Sequence, residues 1–213
     1  MTASIRYLAI GDSLTAGFGV PTGFGFADRV REHAQRVLGT PVVLDNAGVS
    51  GTTSGDMLAD LLRDASLQER VREADLITIT VGGNDLLDAA KQFYLDQDTQ
   101  HLMQSLKTCH RHLAKWIKTV RAQKRARGSS RYAIRLADLY NPIPFFPESI
   151  EWVERFNRMY RRFEAVDLRV ADVYDSFIGR EESLLSDDLI HPNQAGYAIM
   201  AECVNALGYA PLG

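Results

Sequence analysis

Ser13 lies in Gly11-Asp12-Ser13-Leu14, directly after a short apolar run, while Asp188 and His191 stand three residues apart near the other end of the chain. A serine hydroxyl is a weak nucleophile until a neighbouring base takes its proton. A carboxylate three residues before an imidazole falls on the same side of a tight turn. Asp188 can then hold one ring nitrogen while the other faces the hydroxyl. Attack on an ester carbonyl also builds negative charge on oxygen, and that charge needs fixed donors. Two glycine-containing clusters offer them. Asn46-Ala47-Gly48-Val49-Ser50-Gly51 ends in a glycine that lets a backbone N–H approach unobstructed, and Gly82-Gly83-Asn84-Asp85 carries a neutral amide in Asn84. The Ser13 N–H, at the mouth of a helix, is a third donor. The expected chemistry is ester hydrolysis, with Ser13 as nucleophile, His191 as base and Asp188 as its orienting partner. Ser13, Gly51 and Asn84 form the expected oxyanion hole.

These residues are far apart in sequence, so the elements between them must bring them together. Five short apolar runs read as strands: 5–10, 41–46, 75–81, 132–139 and 166–173. Helical periodicity is found near 25–38, 54–64, 98–126, 149–164 and 194–207. In 98–126, Leu102, Leu106, Cys109, Leu113, Trp116 and Val120 recur at three- and four-residue steps. Asn193 reads as the cap of the last helix. Strands separated by helices imply parallel pairing with right-handed crossovers, hence a three-layer α/β/α sandwich around a five-stranded parallel sheet. In such sheets ligands bind beyond the carboxyl ends of the strands. The first three strands all run into the polar clusters at that rim. With a flavodoxin-like order 2-1-3-4-5, Ser13 is flanked by Gly51 and Asn84.

The 213 residues suit one domain, 1–213, without repeat, linker or low-complexity tract. A formal charge of −3 gives no reason to expect nucleic acid. The basic residues Lys118, Arg121, Lys124, Arg125, Arg127 and Arg131 gather at a helix end, where water solvates them and the helix dipole favours them. No stretch approaches the roughly 18 apolar residues of a membrane span. The first residues read as a strand rather than a signal peptide, and Cys109 and Cys203 as buried free thiols, together pointing to the cytoplasm. No metal or cofactor is called for, and the expected partners are a small ester and water.

Several residues have structural readings. Asp12 braces its loop, and Asp85 is structural. Asp187 is a rival orienter for His191. His33, His101, His110 and His112 lie in helices without a role. Phe18, Phe24, Phe26, Tyr140, Phe145 and Phe146, with Leu86 and Leu87, are candidates for an apolar acyl pocket, and core packing accounts equally well for about half of them. A flavin-binding module is the competing class, since Ser13-Leu14-Thr15 loosely resembles a phosphate loop. Asp12 and the lack of a basic residue there oppose it.

Taken together, the four blocks resemble those of the GDSL esterase/lipase family of the SGNH hydrolase superfamily. Gly11-Asp12-Ser13-Leu14 is similar to its nucleophile block, Gly51 to its oxyanion glycine, Gly82-Gly83-Asn84-Asp85 to its Asn block and Asp188-x-x-His191 to its acid–base block. The blocks span positions 11 to 191 in family order. The resemblance implies the flavodoxin-like fold, no metal and an acyl-serine intermediate. It admits carboxylic esters of short to medium chain or of lipids, and also thioesters and sugar acetates.

Overall fold

The structure, a computed structural model, describes residues 4–128 and 131–213. Its elements are β1 (Ile5–Gly11), α1 (Ser13–Ala16), α2 (Phe26–Leu38), β2 (Val42–Gly48), α3 (Ser54–Arg63), α4 (Ala65–Glu73), β3 (Leu76–Thr80), α5 (Gly83–Asp96), α6 (Gln100–Ala126), β4 (Ala133–Ala137), α7 (Pro147–Arg161), β5 (Leu168–Ala171), α8 (Tyr174–Phe177), α9 (Glu181–Leu184) and α10 (Gln194–Ala206). The five strands are all parallel, in the order β2-β1-β3-β4-β5. This is the order expected from the sequence.

β1, β3 and β4 are covered on both faces, which is why they read as continuous apolar runs rather than alternating ones. Leu8 and Ile10 of β1 point into one core layer with Leu61, Leu113 and Trp116, from α3 and α6. Tyr7 and Ala9 point into the other with Val30 of α2 and Met200 of α10. A smaller cluster of Ala89, Leu102 and Trp152 joins α5, α6 and α7 away from the sheet. Cys109 and Cys203 are free, and they belong to opposite layers.

Register matters for the site. Gly11, the last residue of β1, pairs with Gly48 of β2 on one side and Thr80 of β3 on the other. The three polar clusters therefore leave the sheet at one level.

Two longer helices escape the periodic reading, besides the four-residue turns α1, α8 and α9. α5 follows Gly82-Gly83, a pair that reads as a turn, and Ala89 is its only fully buried residue. α4 follows α3 across Asp64, which serves as C-cap of one and N-cap of the other. Strand five is shorter than 166–173 because Val166 is almost fully exposed and the ladder ends at Ala171. β2 starts one residue later and runs two further than expected, to Gly48. β4 stops at Ala137: the Asp138 N–H still reaches the Ala171 carbonyl at the end of β5, but the Leu139 N–H turns to the Asn157 side chain of α7.

Lys118, Arg125, Arg127 and Arg131 of the basic run are exposed, as expected, whereas Lys124 and Arg121 are drawn into the fold. Lys124 is buried and donates to the carbonyls of Arg72 and Ala74 at the C-terminus of α4. There its charge meets the negative end of the helix dipole. Burial lowers its pKa to about 8. Arg121 makes a two-pronged ion pair with Asp167, and Arg131 donates to the carbonyls of Pro211 and Leu212. These cations tie α6 and the strand after it to their neighbours.

Candidate active site

The nucleophile block is a strand-to-helix turn. Gly11 has φ +147°, and a side chain there would collide with the Thr80 carbonyl, so only glycine lets β1 pass this close to β3. Asp12 caps α1 by accepting from the Leu14 N–H at 3.0 Å and takes the Thr80 hydroxyl at 2.7 Å. Burial pushes its carboxyl up, against the pull of those hydrogen bonds. Asp12 braces the loop, as expected, and its carboxylate fills the place at the helix mouth that a phosphate would need. Asn46 adds a tie from β2, donating to the Thr15 carbonyl at 2.8 Å.

The acid–base block is a small hairpin. Leu185 and Pro192 form an antiparallel bridge, and the Ser186 N–H bonds the His191 carbonyl at 2.8 Å. Within it Asp188 accepts from the Ile190 N–H at 2.9 Å and the His191 N–H at 2.8 Å. The Ser186 hydroxyl lies 2.9 Å from the same carboxylate. Tyr140, in the loop after β4, donates to the Ile190 carbonyl at 2.6 Å and anchors the hairpin to that loop. Ser186 and Tyr140 are supports that the sequence reading missed. Ser186 stood two residues before the carboxylate, a spacing at which serine often bonds locally.

These pieces place His191 between its two partners. Nε2 lies 2.9 Å from the Ser13 hydroxyl and Nδ1 lies 2.6 Å from Asp188 Oδ2. A carboxylate only accepts, so Nδ1 carries the proton and Nε2 accepts from Ser13. Partial burial pulls the Asp188 carboxyl up. The hydrogen bonds from the His191 backbone and ring, the Ile190 N–H and the Ser186 hydroxyl outweigh this and hold it well below the usual carboxylate range. The rival Asp187 is exposed and belongs to none of these bonds. Phe18 packs its ring 4.4 Å from that of His191.

Asn84 lies in the first turn of α5, and its amide donates to the Thr52 carbonyl at 2.9 Å. Gly51 (φ +85°) immediately precedes Thr52, so the two expected donors meet at one junction. Asn84 shares a pocket lining with Ser13 and His191, whereas Gly51 sits on an exposed turn outside that lining. Behind the junction, buried Ser54 bonds both Asp85 and His112. His112 therefore has a partner beside the site, where the sequence reading assigned it none. Gly82 approaches Tyr160 so closely that a side chain would overlap its hydroxyl, which donates to the Val81 carbonyl at 2.5 Å.

An apolar cavity of about 210 Å³ opens beside Ser13. Leu86, Leu87, Tyr140 and Phe146 line it, as expected. The other aromatic candidates do not: Phe26 is buried in the core, Phe24 packs under the Arg29 guanidinium, and Phe145 packs at a tilt against Phe146 outside the lining. Phe93, Leu102 and Trp152 line it instead: α5, which carries Phe93, was not foreseen, and Leu102 and Trp152 lie on foreseen helices whose packing the sequence does not give. Among the described residues, no three His, Cys, Asp or Glu side chains gather as metal ligands, and no helix is long and apolar enough to cross a membrane.

Residues 9–199 match the model of the GDSL-like lipase/acylhydrolase family. The spore germination lipase LipC of Bacillus licheniformis is 34% identical over 211 residues, covering 98% of this chain and 99% of that protein. The crystal structure of the lipase Lip_vut3 from a goat rumen metagenome superposes with a TM-score of 0.93 at 34% identity, covering 98% and 100% of the two chains. TesA, at 24% identity, a TM-score of 0.69 and coverage of 98% and 99%, shares the fold. The protein belongs to the GDSL-like lipase/acylhydrolase family and is a carboxylic ester hydrolase.

Proposed function

We propose that residues 1–213 act as one catalytic domain that cleaves acyl esters through a covalent acyl-serine. The Ser13–His191–Asp188 hydrogen-bond chain, with steps of 2.9 and 2.6 Å, carries this reading. Ser13 Oγ attacks the ester carbonyl while His191 Nε2 takes its proton. Asp188 stabilises the imidazolium that results and holds its orientation. The oxyanion rests on the Ser13 N–H, the Gly51 N–H and the Asn84 amide. His191 then protonates the departing alcohol. Water enters, gives its proton to His191 and attacks the acyl-serine, and collapse of the second intermediate frees the acid and restores the Ser13 hydroxyl.

Each step uses a proton that His191 holds within hydrogen-bond reach, so no metal or cofactor enters the scheme. Asp12 at the mouth of α1 opposes the flavin-phosphate alternative, because its carboxylate would repel the phosphate.

Incubation with a fluorophosphonate followed by peptide mass spectrometry tests the assignment. The expected result is one stoichiometric adduct on Ser13 and parallel loss of p-nitrophenyl ester hydrolysis. Full inactivation with the adduct on another residue overturns it.

A further inference from the structure

The cavity beside Ser13 has a definite end. From Asn84 and His191 it runs between α5 and the loop after β4 to the satellite cluster that contains Leu102 and Trp152. Trp152 is nearly buried, and the Arg155 guanidinium lies 4.6 Å from its ring centroid, so the surroundings turn charged around that ring. Tyr94 of α5 and Phe146 of the loop both line it and meet edge-on at 5.6 Å between ring centroids. The polar groups in the loop are occupied with one another, as Asn141 donates to Ser149 at 2.9 Å. Beyond the catalytic end and the exposed Glu148, what remains along the cavity is aliphatic and aromatic surface.

Size then selects the chain. A cavity of roughly 150 Å³ lined by aliphatic and aromatic groups takes six-carbon benzene. The volume here is about 210 Å³, and on the same scale it takes about six to eight carbons in a row once the carbonyl end is seated at Ser13. An acetyl group leaves the apolar walls unused, and a much longer chain meets Trp152. Resting on the esterase reading above, we infer that this site selects unbranched acyl groups of medium length, and that Trp152 sets the upper limit.

Burial of each added methylene raises kcat/KM by about fourfold until the pocket is full. Initial rates on p-nitrophenyl acetate, butyrate, hexanoate, octanoate, laurate and palmitate, below the solubility limit of each, measure this. The expected profile rises by two orders of magnitude or more from acetate to a maximum at hexanoate or octanoate, then falls. Trp152→Ala opens the end of the pocket and raises the laurate-to-hexanoate ratio by about tenfold or more. Ala90→Phe adds bulk to the α5 wall and lowers the same ratio, which keeps the test open if Trp152→Ala does not fold. Ser13-dependent activity that is highest on acetate, or a ratio unmoved in both folded variants, overturns the inference and leaves the esterase reading standing. Hydrolysis that survives undiminished in Ser13→Ala overturns the acyl-serine reading itself.

Discussion

Ser54 at the start of α3 is clamped to Asp85 of α5: its hydroxyl donates to one carboxylate oxygen at 2.5 Å and its N–H to the other at 2.8 Å. Ser54 is fully buried, and His112 of α6 lies 3.0 Å from the same hydroxyl. Asp85 directly follows Asn84, and Ser54 follows Gly51 by three, so this clamp ties together the segments that carry the two outer donors of the proposed oxyanion hole. It is a positioning device, since none of its atoms lines the cavity beside Ser13.

Ser54→Ala is expected to lower kcat by about tenfold or more, because small misplacements of preorganised donors are costly. KM should stay within about twofold, since the acyl pocket is untouched. Asp85 keeps the Ser54 N–H but loses its hydroxyl donor, which should also cost roughly 1–3 kcal/mol of stability. Ser54→Thr keeps the hydroxyl and should restore part of kcat. Equal kcat in wild type and Ser54→Ala, measured on one ester, counts against the clamp.

Ser13→Ala should remove at least about 10⁴-fold of kcat/KM. The side chain is small and its only side-chain bond is to His191. The melting temperature is therefore expected to move by no more than a few degrees. Turnover within tenfold of wild type in a well-folded variant sinks the nucleophile assignment.

Asn84→Ala should cost about 10²–10³ in kcat, the usual loss of one oxyanion donor. Gly51→Ala acts differently. Its Cβ meets open space, but φ is +85°, a backbone that L-residues adopt at a cost of roughly 1–2 kcal/mol. The turn then shifts, and kcat falls together with stability. Steady-state kinetics and thermal denaturation on the pair separate these two patterns.

Asp188 makes stability depend on acid. Its carboxyl is held well below the usual range in the folded chain, while the unfolded value is about 3.9. The unfolded state thus binds the proton first as pH falls. The stabilisation is fully present above about pH 5 and is lost progressively below about pH 4. Asp188→Asn removes it at every pH. Urea denaturation should show a constant gap between wild type and Asp188→Asn at neutral pH that closes on acidification. A gap of the same size at about pH 3 would place its origin elsewhere than in the carboxylate.

Much of this site is legible before any coordinates, because its chemistry is written in short blocks at strand ends. A parallel sheet puts those ends on one rim, so Ser13 and Asn84 come to line one cavity once the strands are recognised, with Gly51 on an exposed turn beside Asn84's partner Thr52. Asp188 and His191 are three residues apart, and a local turn suffices to pair them. Strands β1, β3 and β4, buried on both faces, announce themselves as apolar runs. α6 and α10 do so by a full apolar stripe.

The pocket was decided only by the tertiary structure. α5 buries little against the core, so its pattern is weak, yet it supplies Leu86, Leu87, Ala90 and Phe93 to the cavity. Phe24 and Phe26 are near Ser13 in sequence but turn elsewhere, because a stretch of chain leading into α2 is free to take either face. Trp152 comes to the cavity from 139 residues beyond Ser13, through helix packing that no local spacing encodes. Residue type and strand order thus determine what reaction can be run, whereas the shape that chooses the acyl group emerges from how three helices pack.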